Sequence, residues 1–130
     1  MTVLDHTREG RGKPTVVFVH GFGCARSDWD RQVAHLRGRV ETVALDLGGH
    51  GTTPGTETHQ RIETHGRDVA ALLAELNIER AILVGHSMGC RVVTHAMTEA
   101  PARVAGLVLV DGSRLGPAGS TIYLDRHKRV

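Results

Sequence analysis

Four short apolar runs constrain this chain more than anything else in it. They are Thr15-Val16-Val17-Phe18-Val19, Val40 to Leu45, Ala81-Ile82-Leu83-Val84 and Leu107-Val108-Leu109-Val110, and each is nearly unbroken. A strand with one wet face alternates apolar and polar residues. A continuous run suits a strand covered on both faces, as in a parallel sheet flanked by helices. Between the runs the period becomes helical. Ser27 is placed to cap a helix over Asp28 to Leu36. Ile62, Val69, Leu72, Leu73 and Leu76 share one helical face that ends near Asn77, and Val92, Val93, Ala96 and Met97 form a third stripe stopped by Pro101. This alternation predicts an α/β fold: a three-layer sandwich with a mostly parallel sheet and helices on both faces. Thr2 to His6 reads as one further short strand, followed by a turn over Glu9 to Lys13. Gly48 to Gly55 and Gly112 to Ser120 read as loops.

With 130 residues the expectation is a single domain spanning 1–130. Aromatics make up 3% of the chain, so Val, Leu, Ile and Ala must build the core, and no stacking platform for single-stranded nucleic acid is available. The net charge of +2 comes from scattered residues. The one basic cluster, Arg126 to Arg129, reads as a solvated tail, and no nucleic-acid partner is expected. Cys24 and Cys90 do not make a disulfide framework, and no leader-like or membrane-spanning apolar stretch is evident. The expectation is a cytoplasmic protein with no membrane partner. The histidine spacings match no metal motif, so no metal is expected.

The chemistry centres on Gly85-His86-Ser87-Met88-Gly89, which directly follows one apolar run and directly precedes a helical stripe. A tight strand-to-helix turn holds its serine in a strained backbone conformation with the hydroxyl raised. Glycines two residues to either side avoid collisions with the adjoining strand and helix. Alternatively, the pattern is a Gly-rich helix start with a serine cap. The context favours Ser87 as a nucleophile. His20-Gly21-Phe22-Gly23 follows the run Thr15 to Val19. A Gly-rich turn there can offer one backbone N–H to a developing oxyanion, and the residue after the nucleophile offers a second, which gives the amides of Phe22 and Met88. An ordinary βα turn that uses glycine for positive φ is the competing account.

H-G-F-G, D-L-G-G-H-G (Asp46 to Gly51), G-H-S-M-G and L-V-L-V-D-G-S each follow an apolar run, in that order. Taken together, from about Lys13 to Ser113, they resemble the α/β-hydrolase superfamily, within it the esterase, lactonase, C–C hydrolase and cofactor-free haloperoxidase group. The resemblance implies Ser87 as nucleophile, Phe22 and Met88 as the oxyanion hole, Asp46 to Gly51 as a structural loop, no cofactor, and a small-molecule ester or acyl substrate. A serine at position 87 argues against the dehalogenases and epoxide hydrolases of the superfamily, which use aspartate there.

The family order along the chain is serine, acid, histidine. Here the cap and the C-terminal strands that carry the later members have no counterpart. Asp111, at the end of the last run, is a candidate orienting acid, or else a polar strand end. His127 is a candidate base, although no strand precedes it to place it over Ser87. His20, His50 and His86 fall in motif positions and are read as structural or site-lining. His6, His35, His59, His65 and His95 are read as surface or helix residues. Cys90 is read as a small packed residue and Cys24 as a weak candidate for thiol reactivity. Two functions follow as expectations. One is a serine hydrolase acting through an acyl-enzyme on Ser87. The other is a non-catalytic remnant or binding module with a hydrolase-like fold. The run Leu107 to Val110 would lie at an open sheet edge, and self-association through that edge is expected.

Overall fold

The computed structural model describes residues 4–112 in full, together with the backbone of strand 121–124. Six strands form one sheet: β1 (His6–Glu9), β2 (Thr15–Val19), β3 (Thr42–Leu45), β4 (Ala81–His86), β5 (Val104–Val110) and β6 (Thr121–Leu124), in the order β1-β3-β2-β4-β5-β6. The inner four are parallel, while β1 and β6 run antiparallel on the outside. Three helices, α1 (Asp30–Leu36), α2 (Ile62–Glu75) and α3 (Met88–Glu99), make the crossovers. The unbroken character of the inner strands now has its cause. Val17, Val19, Val43, Leu45, Leu83, Leu107 and Leu109 face one layer, built with Val69, Leu72 and Leu73 of α2 and Val92, Val93 and Ala96 of α3. Phe18, Ala44 and Val84 face the other, built with Trp29 and with Val33 of α1. Each fully buried Leu or Val side chain is worth about 2 kcal/mol relative to exposure. The sandwich is therefore held from both faces of every central strand.

Several boundaries differ from expectation. The first strand lies over His6–Glu9, where a turn was expected from Glu9 onward, because Arg8 and Glu9 pair in register with Val43 and Thr42. Arg8 also bonds Glu41 at 2.9 Å. Ser27 does not cap α1. Ala25 is extended, residues Arg26–Trp29 form a 3₁₀ turn, and the α-helix begins at Asp30. Helix α2 does end next to Asn77, which takes a left-handed φ of 54°. The expected open edge is also corrected. β6 pairs with β5 from Gly106↔Leu124 to Leu109↔Thr121, so the T-I-Y-L run supplies the backbone partners that β5 would otherwise lack. The reason given for self-association through β5 is thereby removed. The tail positions 125–130, with His127 and the basic cluster, and the loop 113–120 lie outside the described residues.

Candidate active site

The ends of β2, β4 and β5 converge on the turn at residue 87. Ser87 sits between β4 and α3 with φ 54° and ψ −115°, a backbone conformation that a side chain rarely adopts. Its amide donates to Val110 O at 2.9 Å, and Cys90 N–H donates back to Ser87 O at 3.0 Å. The residue is exposed at the carboxyl end of the sheet. The neighbouring glycines explain why so sharp a turn is possible. A Cβ on Gly85 would collide with the Gly89 carbonyl. One on Gly89 would collide with Val19 O and lie 2.8 Å from His20 O. Met88 is the first residue of α3, where the helix itself provides no carbonyl for the amide and its positive end favours negative charge.

The turn after β2 packs directly against this elbow. A Cβ on Gly21 would come within 3.3 Å of Ser87 Cβ and 3.2 Å of His86 O. Phe22, the next residue, has its side chain 75% exposed and its ring edge-on to His50 at 5.8 Å. A cavity of about 330 Å³ opens beside the elbow, lined by His20, Asp28, Trp29, Gln32, His86 and Val110. His86 Nε2 stands 3.9 Å from Asp111 Oδ2, too far for a hydrogen bond. Asp111 is itself strained at φ 52°, with a side chain that is 82% exposed. Among the described residues, no side chain bonds to Ser87 Oγ.

Residues 14–129 match the family model for the alpha/beta hydrolase fold. The chain belongs to that family. Among its relatives, the dihydrolipoyllysine-residue acetyltransferase component of the acetoin cleaving system of Cupriavidus necator is 35% identical over 122 residues, covering 94% of this chain and 33% of that protein. The non-heme chloroperoxidase of Streptomyces lividans is 38% identical over 97 residues, covering 73% and 35%. A thermophilic esterase from Thermogutta terrifontis superposes with a TM-score of 0.78 at 30% identity, covering 83% of this chain and 40% of that one. The chain thus spans about a third of the length of the curated relatives that it matches.

Within this alpha/beta hydrolase framework, the structure brings Phe22, Met88 and Ser87 to one place at the strand ends. Asp111 lies at the neighbouring strand end but outside bonding range of His86. His127 lies outside the described residues. Cys90 is buried, its Sγ 3.2 Å from Gly85 O, and burial pushes its thiol pKa up. The Cys24 thiol is also pushed up, by desolvation first and by Asp28 second, which works against thiolate reactivity.

The sequence alone assigns no site role to Asp28, Trp29 or Gln32, because their meeting with the elbow is purely tertiary. It also shows Asp46 only as part of a loop. Asp46 is buried, and its Oδ1 accepts from Arg26 N–H at 2.7 Å. Its Oδ2 accepts from Arg26 Nη1 at 3.1 Å and from Thr52 N–H at 3.1 Å. Gly51, at φ 53°, leaves room for this carboxylate where any Cβ would strike it. One side chain therefore fastens the segment after Phe22 to the loop after β3. Asp46→Ala is expected to cost about 3 kcal/mol, since it strands several donors at once. Urea unfolding at neutral pH measures it, and a loss under about 1 kcal/mol would contradict the fastening role.

Proposed function

We propose that this chain carries the nucleophile and oxyanion hole of a serine hydrolase acting on a carboxylic ester or similar small acyl compound. The observation that carries this reading is the backbone of Ser87, held at φ 54° and ψ −115° between a strand and a helix N-terminus. Such strain persists only where surrounding structure enforces it. Here Gly85, Gly89 and the β5 carbonyl enforce it. In the proposed reaction Ser87 Oγ attacks the carbonyl carbon and gives its proton to a base. The oxyanion accepts hydrogen bonds from the amides of Phe22 and Met88. The alcohol then leaves with a proton, and water hydrolyses the acyl-enzyme to acid and free serine. The chemistry uses no cofactor. The likeness to the thermophilic esterase from Thermogutta terrifontis supports this class.

A second reading has its own observation. No imidazole among the described residues reaches Ser87 Oγ, which suits a binding module that retains the elbow without the reaction. A fluorophosphonate probe separates the two. In the longest natural form of this chain the probe should phosphonylate Ser87 with loss of fluoride, and Ser87→Ala should abolish labelling while leaving the circular dichroism spectrum unchanged. Labelling elsewhere with Ser87 unmodified would end the nucleophile assignment, and no labelling at all would favour the binding module.

A further inference from the structure

Four histidines distant in sequence meet beneath the turn that carries Phe22. His20 follows β2, His50 lies in the loop after β3, His59 in the 3₁₀ turn Glu57–Gln60, and His65 in the first turns of α2. Their rings follow one another at 5.0 Å (His20 to His50), 6.0 Å (His50 to His65) and 5.4 Å (His65 to His59). Backbone donors fix two of the tautomers. Leu47 N–H donates to His20 Nε2 at 3.0 Å, so His20 carries its proton on Nδ1 and donates to Gly21 O at 2.7 Å. Thr56 N–H donates to His59 Nδ1 at 2.8 Å, so His59 carries its proton on Nε2 and donates to Asp68 at 2.8 Å. A second proton on either ring must displace a backbone amide. His65 is 2% exposed, and its buried Nδ1 has no partner among the described residues.

We propose that this string of histidines is a proton-sensitive latch. Neutral, it ties segment 47–59 to α2 and to the turn at residues 20–22; protonated, it releases that segment. Its attachments run to both sides of the candidate site. His20 holds Gly21 O on one edge and Leu47 N–H on the other, while His50 touches the Phe22 ring and bonds Gly48 O at 3.0 Å.

The charged neighbours are mixed. Asp46 at the end of β3 and Asp28 in the 3₁₀ turn before α1 face His20 and favour its protonation, whereas His50 opposes it. Arg26 offsets Asp46 by pairing with it. Asp68 on α2 favours protonation of His65, and His59 and His50 oppose it. From α3, His95 packs on Gly66 beside His65 and is itself paired with Glu99. Burial is the largest influence on both His20 and His65, and it pulls both below the ordinary histidine value.

The sign follows from that direction. A histidine with a depressed folded pKa leaves the unfolded chain binding more protons. Its contribution is fully present above about pH 6.5 and is lost as pH falls toward the folded value. The window is thus from about pH 6.5 downward, above the carboxylate range.

The test requires no reactivity at Ser87, so its failure is distinct from failure of the hydrolase reading. Imidazole ¹⁵N shifts of the chain at pH 7.5 should show His20 as the Nδ1–H tautomer and His59 as Nε2–H. Opposite tautomers, or an imidazolium at His20 or His65, would overturn the latch. Lowering the pH from 7.5 to 5.5 should raise the urea-extrapolated unfolding constant. The rise should stay below about 100-fold per pH unit, the ceiling of ten for each of His20 and His65. Over the same range the Leu47 amide, which His20 holds, should lose exchange protection, after correction for intrinsic rate. His65→Phe should reduce the slope to below about 10-fold per unit, and His35→Gln should leave it unchanged. A flat profile, a Leu47 amide that stays protected, or an equal slope reduction in both variants would each refute the proposal. If His65→Phe does not fold, the tautomers and amide protection of the parent chain decide it.

Discussion

A Gly89→Val chain should lose more than about 4 kcal/mol of folding stability, the range reserved for a direct backbone collision or a comparable defect. The reason lies in what surrounds the position. The first carbon of any side chain there would strike Val19 O and lie 2.8 Å from His20 O. The two carbonyls belong to the last residue of β2 and to the residue after it, and β2 is hydrogen-bonded on both sides to β3 and β4. Neither can retreat as the tip of a flexible side chain could. Relief requires α3 to move off the sheet, which would uncover Val92, Val93 and Ala96. Against the 5–15 kcal/mol typical of whole domains, that loss removes most of the native population. Gly23 offers the contrast. It has a positive φ of 73°, which the helical Gly89 does not, but a Cβ there meets nothing within 4 Å. Gly23→Ala should therefore cost only about 1 kcal/mol, the conformational penalty alone. Parallel urea melts of the two variants measure the difference. Equal losses would contradict the collision with the Val19 and His20 carbonyls as the reason for glycine at position 89.

The central strands were legible in the sequence because burial on two faces leaves an unbroken apolar run, and such runs have few other uses in a soluble chain. The elbow was legible because a strained turn between a strand and a helix permits few residue types around it. The places of Phe22 and Met88 beside those turns are the ground for the oxyanion hole proposed above. What the sequence hid depends on the third dimension. Asp46 takes its bonds from Arg26, 20 positions earlier, and from Thr52, 6 positions later. No local period marks such a set. His59 and His65 read as surface or helix residues because six positions on a chain say nothing of a ring packed against His50 from another loop. The partner of β5 was missed for a related reason. Thr121 to Leu124 is short and follows a long Gly-rich stretch, so only its register with Gly106 to Leu109 reveals a strand. The start of α1 was misplaced because Ser27 is a suitable cap by type, whereas the chain uses a 3₁₀ turn to bring Trp29 under Phe18 at 4.9 Å.

The second large effect concerns the reaction itself. The 130-residue chain is expected to hydrolyse p-nitrophenyl acetate far below ordinary enzyme rates. Three parts of the proposed machinery lie among the described residues: Ser87 and the amides of Phe22 and Met88. A general base cannot. His86 adjoins Ser87 in sequence, but its ring packs edge-on to Trp29 at 6.4 Å and its Nε2 faces Asp111 at 3.9 Å. His20 spends both ring nitrogens on Gly21 O and Leu47 N–H. Serine hydroxyls react poorly when no base removes the proton. Oxyanion stabilisation and binding still leave proteases stripped of triad members about 10³–10⁴-fold above water. A rate in that range, lost in Ser87→Ala, is therefore the expected result. Gly21→Val should lower even this residue of activity, because its Cβ would press on His86 O and Ser87 Cβ and shift the Phe22 amide. A donor lost in this way costs about 2.7–4 kcal/mol of transition-state stabilisation. Turnover at ordinary enzyme rates, near 10 s⁻¹, would overturn this account. It would assign the base to His86 or to His127, and replacing each with Gln in turn would show which one carries the proton.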